Sequence, residues 1–261
     1  MVDLSERQML EQKLLRKQKL ETVGLLAAGV AHDFNNLLTS ILMNSELAME
    51  NMPPGNRARR MLEEVTREAL RVAQLTSQLL AYAGKGGHAA RAIDLGATIR
   101  LAVSELRGTV AQHIPIRLKL LPGLAPIEAD QDQIRQLITS LLVNAAEALG
   151  DKPGGEITVS TSVCNLGAEE GHWLFGSGEI GAGSYALIRV QDNGCGMDDA
   201  MLARAFDPFF TTKFLGRGLG LSAAQGIARA HNGAIRIISA PGQGATVDAL
   251  FPTHASESDP A

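Results

Sequence analysis

Leu20, Val23, Ala27, Val30, Phe34, Leu37 and Ile41 recur at alternating spacings of three and four, the a/d spacing of a helix packed on other helices. This helix-like stretch runs from about Leu4 to Met52 and is stopped by Pro53, Pro54 and Gly55, which break helices and make a turn. The register falters upstream of Leu20, at Arg16 and Lys13. A second such stretch runs from about Asn56 to Ala83. Its seam is Leu62, Val65, Ala69, Val72, Thr76, Leu79 and Ala83, with one polar lapse at Thr76, and GKGG at 84–87 ends it. Two helices joined by a short turn make an antiparallel hairpin. A hairpin alone cannot enclose a core, so the pattern predicts a homodimer in which two hairpins form a four-helix bundle.

The polar run inside the first seam then stands out. Residues 28–40 read AGVAHDFNNLLTS. With Phe34 at an a position, His32 falls at f, the outermost place on the helix, with Asp33 beside it and Asn36 one turn further on the same face. A histidine held toward water on a rigid helix is available to react with a group brought to it.

The composition narrows the field. Of 261 residues, 45% are hydrophobic and 20% charged, enough for one large or two ordinary domains. The formal net charge of −4 gives no basic surface for nucleic acid. Lys13, Arg16, Lys17 and Lys19 cluster, but with Glu11 and Glu21 flanking them they read as a solvated helix face. Cys164 and Cys195 make no disulfide framework and suit a reducing compartment. No apolar run approaches the roughly 20 residues that span a bilayer, and MVDLSERQML is no signal peptide. As given, the chain reads as cytoplasmic with no membrane contact, although a piece of a longer membrane receptor has the same features.

The pattern predicts a helical hairpin over 1–88, an α/β two-layer domain over 89–254 and a disordered tail over 255–261. Within the second part, Asp130 reads as the N-cap of an amphipathic helix over 131–149, with Gln133 three residues on. EITVSTSVC (156–164) and SYALIRVQD (184–192) read as strands, and SAAQGIARAHNG (222–233) as a helix closed by Asn232 and Gly233. AIRIIS (234–239) and ATVDALF (245–251), joined by APGQG, read as a hairpin. The glycine-rich stretch between the two first strands has Trp173 as its large anchor.

Four stretches of this second part carry polar chemistry. In DNGCGM (192–197), Gly194 and Gly196 let the backbone turn tightly and approach a planar ligand, and Asp192 can accept from an exocyclic amine. Asp-Asn-Gly is equally an ordinary turn. In GRGLGL (216–221), Gly216, Gly218 and Gly220 open a helix whose free N–H groups suit phosphates. Asn144 on the 131–149 helix offers an oxygen that, with phosphates and water, suits Mg²⁺; an exposed amide is the bland alternative. FDPFFTTKF (206–214) has Phe206, Phe209 and Phe210 as apolar anchors around Pro208. Lys213 follows on a segment placed to form a lid over a triphosphate.

Taken in order behind a helical hairpin with an exposed histidine, these stretches resemble the sensor histidine kinases, from about Leu20 to Pro252. The resemblance identifies AHDFNN as the H box of a dimerisation and phosphotransfer hairpin. LITSLLVNAAEAL looks like the N box, DNGCGM the G1 box, FDPFF the F box and GRGLGL the G2 box of a Bergerat-fold (GHKL) ATP-binding domain. It implies that His32 attacks the γ-phosphate of ATP bound with Mg²⁺, and that an aspartate on a response regulator receiver domain then takes the phosphoryl group. Asp33 would favour the nucleophilic form of an imidazole whose ordinary pKa is about 6.5. Lys213, backbone amides and Mg²⁺, with Asn144 as its ligand, would position and neutralise the phosphates. The resemblance also puts Leu221 and Thr246 in the nucleotide site. Asp33 with Asn36 matches members that dephosphorylate their regulator, the amide orienting a water.

The sequence departs from the family pattern at Leu37, where many members have a helix-kinking proline, and at Ser140, where the N box often has Asn. Related ATPases place a Glu there to activate water, and Ser140 is a poor general base, which favours transfer to a side chain over hydrolysis. The lid between Phe210 and Gly216 is short, and Cys195 reads as a small packing residue beside the adenine. A GHKL-type ATPase and a phosphatase-biased or non-catalytic dimeric scaffold stand as alternatives.

Overall fold

The computed structural model describes residues 34, 36–50, 52–53, 55–82, 90–107, 113–150, 152–167, 180–212 and 218–253. Two compact units divide the chain, Met1–Gly86 and Gly87–Ala261. Among the described residues no helix is long and apolar enough to cross a membrane.

In the first unit, α1 (residues 36–50) and α2 (Arg57–Tyr82) flank a tight turn. Asn56 caps α2, its Oδ1 accepting from the Ala58 N–H at 2.8 Å, and Gly55 takes a φ of +88° in the turn. Arg59 closes the other side. Its Nη1 donates to the carbonyls of Met49 and Met52, both at 2.8 Å, and so ties down the turn that ends α1, where the Met49 carbonyl also accepts from the Met52 N–H at 3.1 Å. The polar lapse at Thr76 costs little, because its hydroxyl donates back to the Val72 carbonyl at 2.9 Å.

On α1 the hairpin buries a different stripe from the one the heptad pattern marks, whereas on α2 the seam positions Ala69 and Thr76 are buried. Leu38, Ser45, Ala69 and Thr76 are enclosed, whereas Phe34, Leu37 and Ile41 remain 45%, 61% and 43% exposed, and Val65 on α2 is exposed as well. Two helices in contact along one line each cover one narrow stripe, and the neighbouring apolar stripe stays open to a further helix.

The second unit is a five-stranded sheet, order β2-β4-β5-β7-β6, with helices on one face and a separate β1–β3 ladder. The elements are β1 (Arg91–Ile93), α3 (Leu95–Arg107), β2 (Ile116–Lys119), β3 (Ile127–Ala129), α4 (Gln131–Leu149), β4 (Ile157–Leu166) and β5 (Gly183–Asp192). Then follow α5 (Asp199–Arg204), α6 (Gly220–Ala230), β6 (Ala234–Ser239) and β7 (Ala245–Pro252). β2 runs parallel to β4, and the other pairs of this sheet are antiparallel. α4 packs against α3 on one side and α6 on the other. Its Ile134, Leu137, Ile138, Leu141 and Leu142 are fully enclosed, as are Ile157, Ile188 and Phe251 of the sheet. This is the two-layer α/β sandwich that the strand and helix periods predict.

The opposite face of the sheet carries an apolar cluster of Leu166, Tyr185, Ala234 and Leu250 and, beside it, a polar row. Register places Lys119, Ser160, Arg189, Asp248 and Arg236 in one row across all five strands. Asp248, the fully buried member, accepts from Arg189 Nε at 2.6 Å and Nη2 at 2.8 Å, and from Arg236 Nε at 3.0 Å and Nη2 at 2.8 Å. Burial pushes this carboxyl up, but the hydrogen bonds and charges of the two guanidiniums outweigh it and hold it below the usual carboxylate range.

Because the folded pKa is the lower one, the triad's stabilisation is complete above the ordinary Asp range of about 3.9 and is lost as pH falls through the depressed value. Asp248→Asn should destabilise the second unit by about 2 kcal/mol near neutrality, less than for a fully dry pair because the guanidiniums reach water. It should also flatten the acid limb of stability against pH, which urea titrations at a series of pH values measure directly.

Candidate nucleotide site

DNGCGM leaves the end of β5 and is held from three sides. Asp192 is buried, and its Oδ1 accepts from the Gly194 N–H at 2.8 Å and the Ala245 N–H at 3.3 Å. Asn193 braces the β4 side, its Oδ1 accepting from the Glu156 N–H at 2.9 Å and its Nδ2 donating to the Gly154 carbonyl at 3.0 Å, while Lys152 Nζ donates to its carbonyl. The Cys195 N–H donates to the Ala148 carbonyl near the end of α4 at 3.0 Å, and the Cys195 carbonyl accepts from Gly242 in the β6–β7 turn at 2.7 Å. Ser239 completes the clamp: its hydroxyl accepts from the Met197 N–H at 2.9 Å and donates to the Gly244 carbonyl at 2.7 Å.

Glycine is obligatory at three of these crossings. A Cβ on Gly194 would stand 2.6 Å from the Ala148 carbonyl oxygen. On Gly244, whose φ is +76°, it would overlap the Asp192 carbonyl. Gly196, at φ +67°, is similarly close to Ala240.

The second half of the site is the start of α6. Leu219 stands at its N-cap with no side-chain hydrogen bond to the first turn, so the opening N–H groups of α6 carry no side-chain cap. Gly220 faces Asn144 of α4, where an added Cβ would lie 3.4 Å from Nδ2 and 3.5 Å from Oδ1. Asn144 Nδ2 is enclosed and makes no hydrogen bond among the described residues. An Asn amide turned half a revolution exchanges its donor for an oxygen, so this place offers either to a ligand. Orphan amide, bare helix N-terminus and a gap that a single Cβ would narrow fit a phosphate with a hard cation. Among the described residues no three His, Cys, Asp or Glu side chains gather to hold a metal, so a cation here would rest on Asn144, phosphate and water.

Gly218 serves a different purpose. Its φ is +65°, a Cβ there would overlap the backbone of Phe209 and Phe210, and its carbonyl accepts from the Phe209 N–H at 2.9 Å. The phenylalanine segment is thereby tied to the residues that open α6. Phe210 lies 4.2 Å from the Arg204 guanidinium, a cation–π contact. Phe209 departs from the expected anchor role: its φ of +64° turns it outward and leaves it 67% exposed.

Of the sequence candidates, Asn144, Asp192, Gly194, Gly196, Gly218, Gly220 and half-buried Leu221 frame this region. Thr246 does not join them. It pairs with Gln191, so its side chain lies on the sheet face opposite Asp192, and the residue that reaches Asp192 is Ala245 through its backbone. Asn36 lies on an exposed turn of α1 in the first unit. His32, Asp33, Lys213, Gly216, Trp173 and the tail lie outside the described residues. Asn193, Lys152 and Ser239 escaped the sequence reading. Asn193 alone left a trace, as the middle of an Asp-Asn-Gly turn.

Residues 22–86 match the His Kinase A (phospho-acceptor) domain, and residues 129–255 the histidine kinase-, DNA gyrase B-, and HSP90-like ATPase domain. The chain belongs to the histidine kinase family. Among curated histidine kinase relatives, the sensor kinase CckA of Brucella abortus (strain 2308) is 34% identical over 256 residues, covering 96% of this chain and 26% of CckA. The sensor histidine kinase ZraS of Escherichia coli (strain K12) is 33% identical over 258 residues, covering 98% of this chain and 51% of ZraS. The chain thus spans about half or less of the length of these relatives. Full-length ShkA, solved in complex with AMPPNP, shares the fold with a TM-score of 0.65 at 22% identity, over 87% of this chain and 45% of ShkA.

Alanine at residue 242, where φ is +77° but nothing lies within 4 Å, separates strain from collision. Gly242→Ala should cost this histidine kinase unit about 1 kcal/mol, the left-handed penalty alone. Gly244→Ala should cost about 3 kcal/mol, since overlap with Asp192 adds to the same penalty. Denaturant midpoints of the two variants test the difference.

Proposed function

We propose that this chain is the catalytic core of a sensor histidine kinase that autophosphorylates on His32 and passes the phosphoryl group to an aspartate of a response regulator receiver domain. The observation that carries the reading is the meeting of Asn144, with its unpartnered amide, and the uncapped start of α6 beside the clamped Asp192 loop, in a chain of this family. Asp192 accepts from the exocyclic amine of adenine. The N–H groups at Gly220 and Leu221, together with Gly216 and Lys213, hold the phosphates. Asn144 is the protein ligand of Mg²⁺, which supplies charge neutralisation on the phosphate oxygens. A neutral His32 nitrogen attacks the γ-phosphorus, the bond to the β–γ bridging oxygen breaks, and ADP departs. Asp33 holds the ring's N–H, leaving the other nitrogen free to attack.

Ser140 supports transfer over hydrolysis. It is buried on α4 one turn before Asn144, where an ATPase would need a carboxylate to activate water. The domain assignment we propose is 1–88 for dimerisation and phosphotransfer, 89–254 for nucleotide binding and 255–261 for the tail. The open stripe of Phe34, Leu37, Ile41 and Val65 supports a second copy of the hairpin as partner, giving a dimeric four-helix bundle. The free thiols of Cys164 and Cys195 agree with a cytoplasmic placement of this segment.

Incubation with γ-labelled ATP and Mg²⁺ should give protein-bound label that survives alkali and is lost in acid. His32→Gln should carry none, and Asn144→Ala should lose on the order of a hundredfold in labelling rate. Release of free phosphate from wild type without protein label would establish an ATPase instead. Asn36→Ala should keep autophosphorylation while slowing dephosphorylation of the regulator by tenfold or more, on the order expected for loss of a water-orienting group.

A further inference from the structure

His231 follows the last turn of α6 and is buried, yet both ring nitrogens are in use. Nδ1 lies 2.9 Å from the Ile227 carbonyl, which can only accept, so Nδ1 carries the proton. Nε2 lies 3.1 Å from the backbone nitrogen of Asp130, which can only donate, so Nε2 is bare. The ring is therefore neutral and of one tautomer, and it stands edge-on to Phe251 with centroids 6.4 Å apart. Asp130 is the N-cap of α4, its Oδ1 accepting from the N–H groups of Asp132 at 3.0 Å and Gln133 at 3.1 Å. One residue thus begins α4 and receives the end of α6.

The two helices run antiparallel. The start of α4 meets the end of α6 at Asp130 and His231, and Asn144, about 20 Å further along α4, meets the start of α6 at Gly220. Along its buried face α6 offers mostly small residues, Ser222, Ala223, Ala224, Gly226 and Ala228, with Ile227 the large apolar knob, so apolar ridges alone set its axial position weakly. Apolar contact is non-directional, whereas a hydrogen bond at one end of a pair of rods sets their register at the other. We propose that His231 is a positioning residue for the nucleotide site: its bond to Asp130 fixes the axial register of α4 and α6 and so keeps Asn144 opposite the anion-binding start of α6. This rests on the nucleotide-binding reading above.

Two substitutions separate the ring's two bonds. His231→Asn retains a donor near Nδ1 for Ile227 but falls short of Asp130. His231→Gln reaches Asp130 with an amide oxygen and restores the bond between helices. In the full chain with Mg²⁺, titration with a fluorescent ATP analogue should show His231→Asn weakened on the order of tenfold and His231→Gln within about twofold of wild type, as expected for a group that acts by placement. Amide exchange at Ala223, whose N–H bonds to the Leu219 carbonyl at 2.9 Å and closes the first turn of α6, should accelerate in His231→Asn and not in His231→Gln. Equal affinity and exchange in wild type and His231→Asn, or an equal loss in both variants, would overturn the inference. A wild type that binds no nucleotide would defeat the nucleotide reading instead, and exchange at Ala223 would then decide the register by itself.

Discussion

The DNGCGM loop and the β6–β7 turn can meet only because residue 244 has no side chain, and the site depends on that meeting. With Gly244 pressed on the Asp192 carbonyl, the Ala245 N–H reaches Asp192 Oδ1 and Gly242 reaches the Cys195 carbonyl. The loop is then driven across the end of α4, where Cys195 bonds to Ala148. Asp192 thereby receives a fixed orientation from backbone donors, which carry no rotamer freedom to lose when a ligand arrives. The same loop that looks like an ordinary Asp-Asn-Gly turn becomes rigid because it is sewn to two elements distant in sequence.

Much of this could be read from the chain before any coordinates. α4 announces itself through Asp130 and the apolar period behind it, and Asp130 does cap the helix. β6 and β7 fall where alternation and the APGQG turn put them, and Asn232, at a φ of +54°, ends α6 as its type predicts. The order of the polar motifs pointed to the family to which the chain belongs. These features are local, or they are types of residue with one strong conformational preference.

The features that escaped are matters of partnership. Nothing in the sequence pairs Arg59 with carbonyls ten and seven residues back, His231 with Asp130 a hundred and one positions away, or Asp248 with two arginines on neighbouring strands. Thr246 was misplaced for a related reason, since the face on which a strand residue lies is fixed by register with its neighbours and reverses with a shift of one. The heptad pattern, too, located the apolar surface of α1 correctly but not what covers it. Phe34, Leu37 and Ile41 stay open because the hairpin is closed by the adjoining stripe of Leu38 and Ser45. α3, β1 and β2 gave no separate signal, the two strands being only three and four residues long.

The Arg59 clamp has a mechanical side. Its guanidinium grips carbonyls in the turn that ends α1 from the first turn of α2, so the hairpin is fastened at its bend and, among the described residues, closed along its length by Leu38, Ser45, Ala69 and Thr76. Rods joined in this way behave as a tuning fork. A twist applied to one prong leaves the joint nearly still and is expressed increasingly with distance from the bend. The clamp thus makes the bend the fixed point about which the two described helices can move.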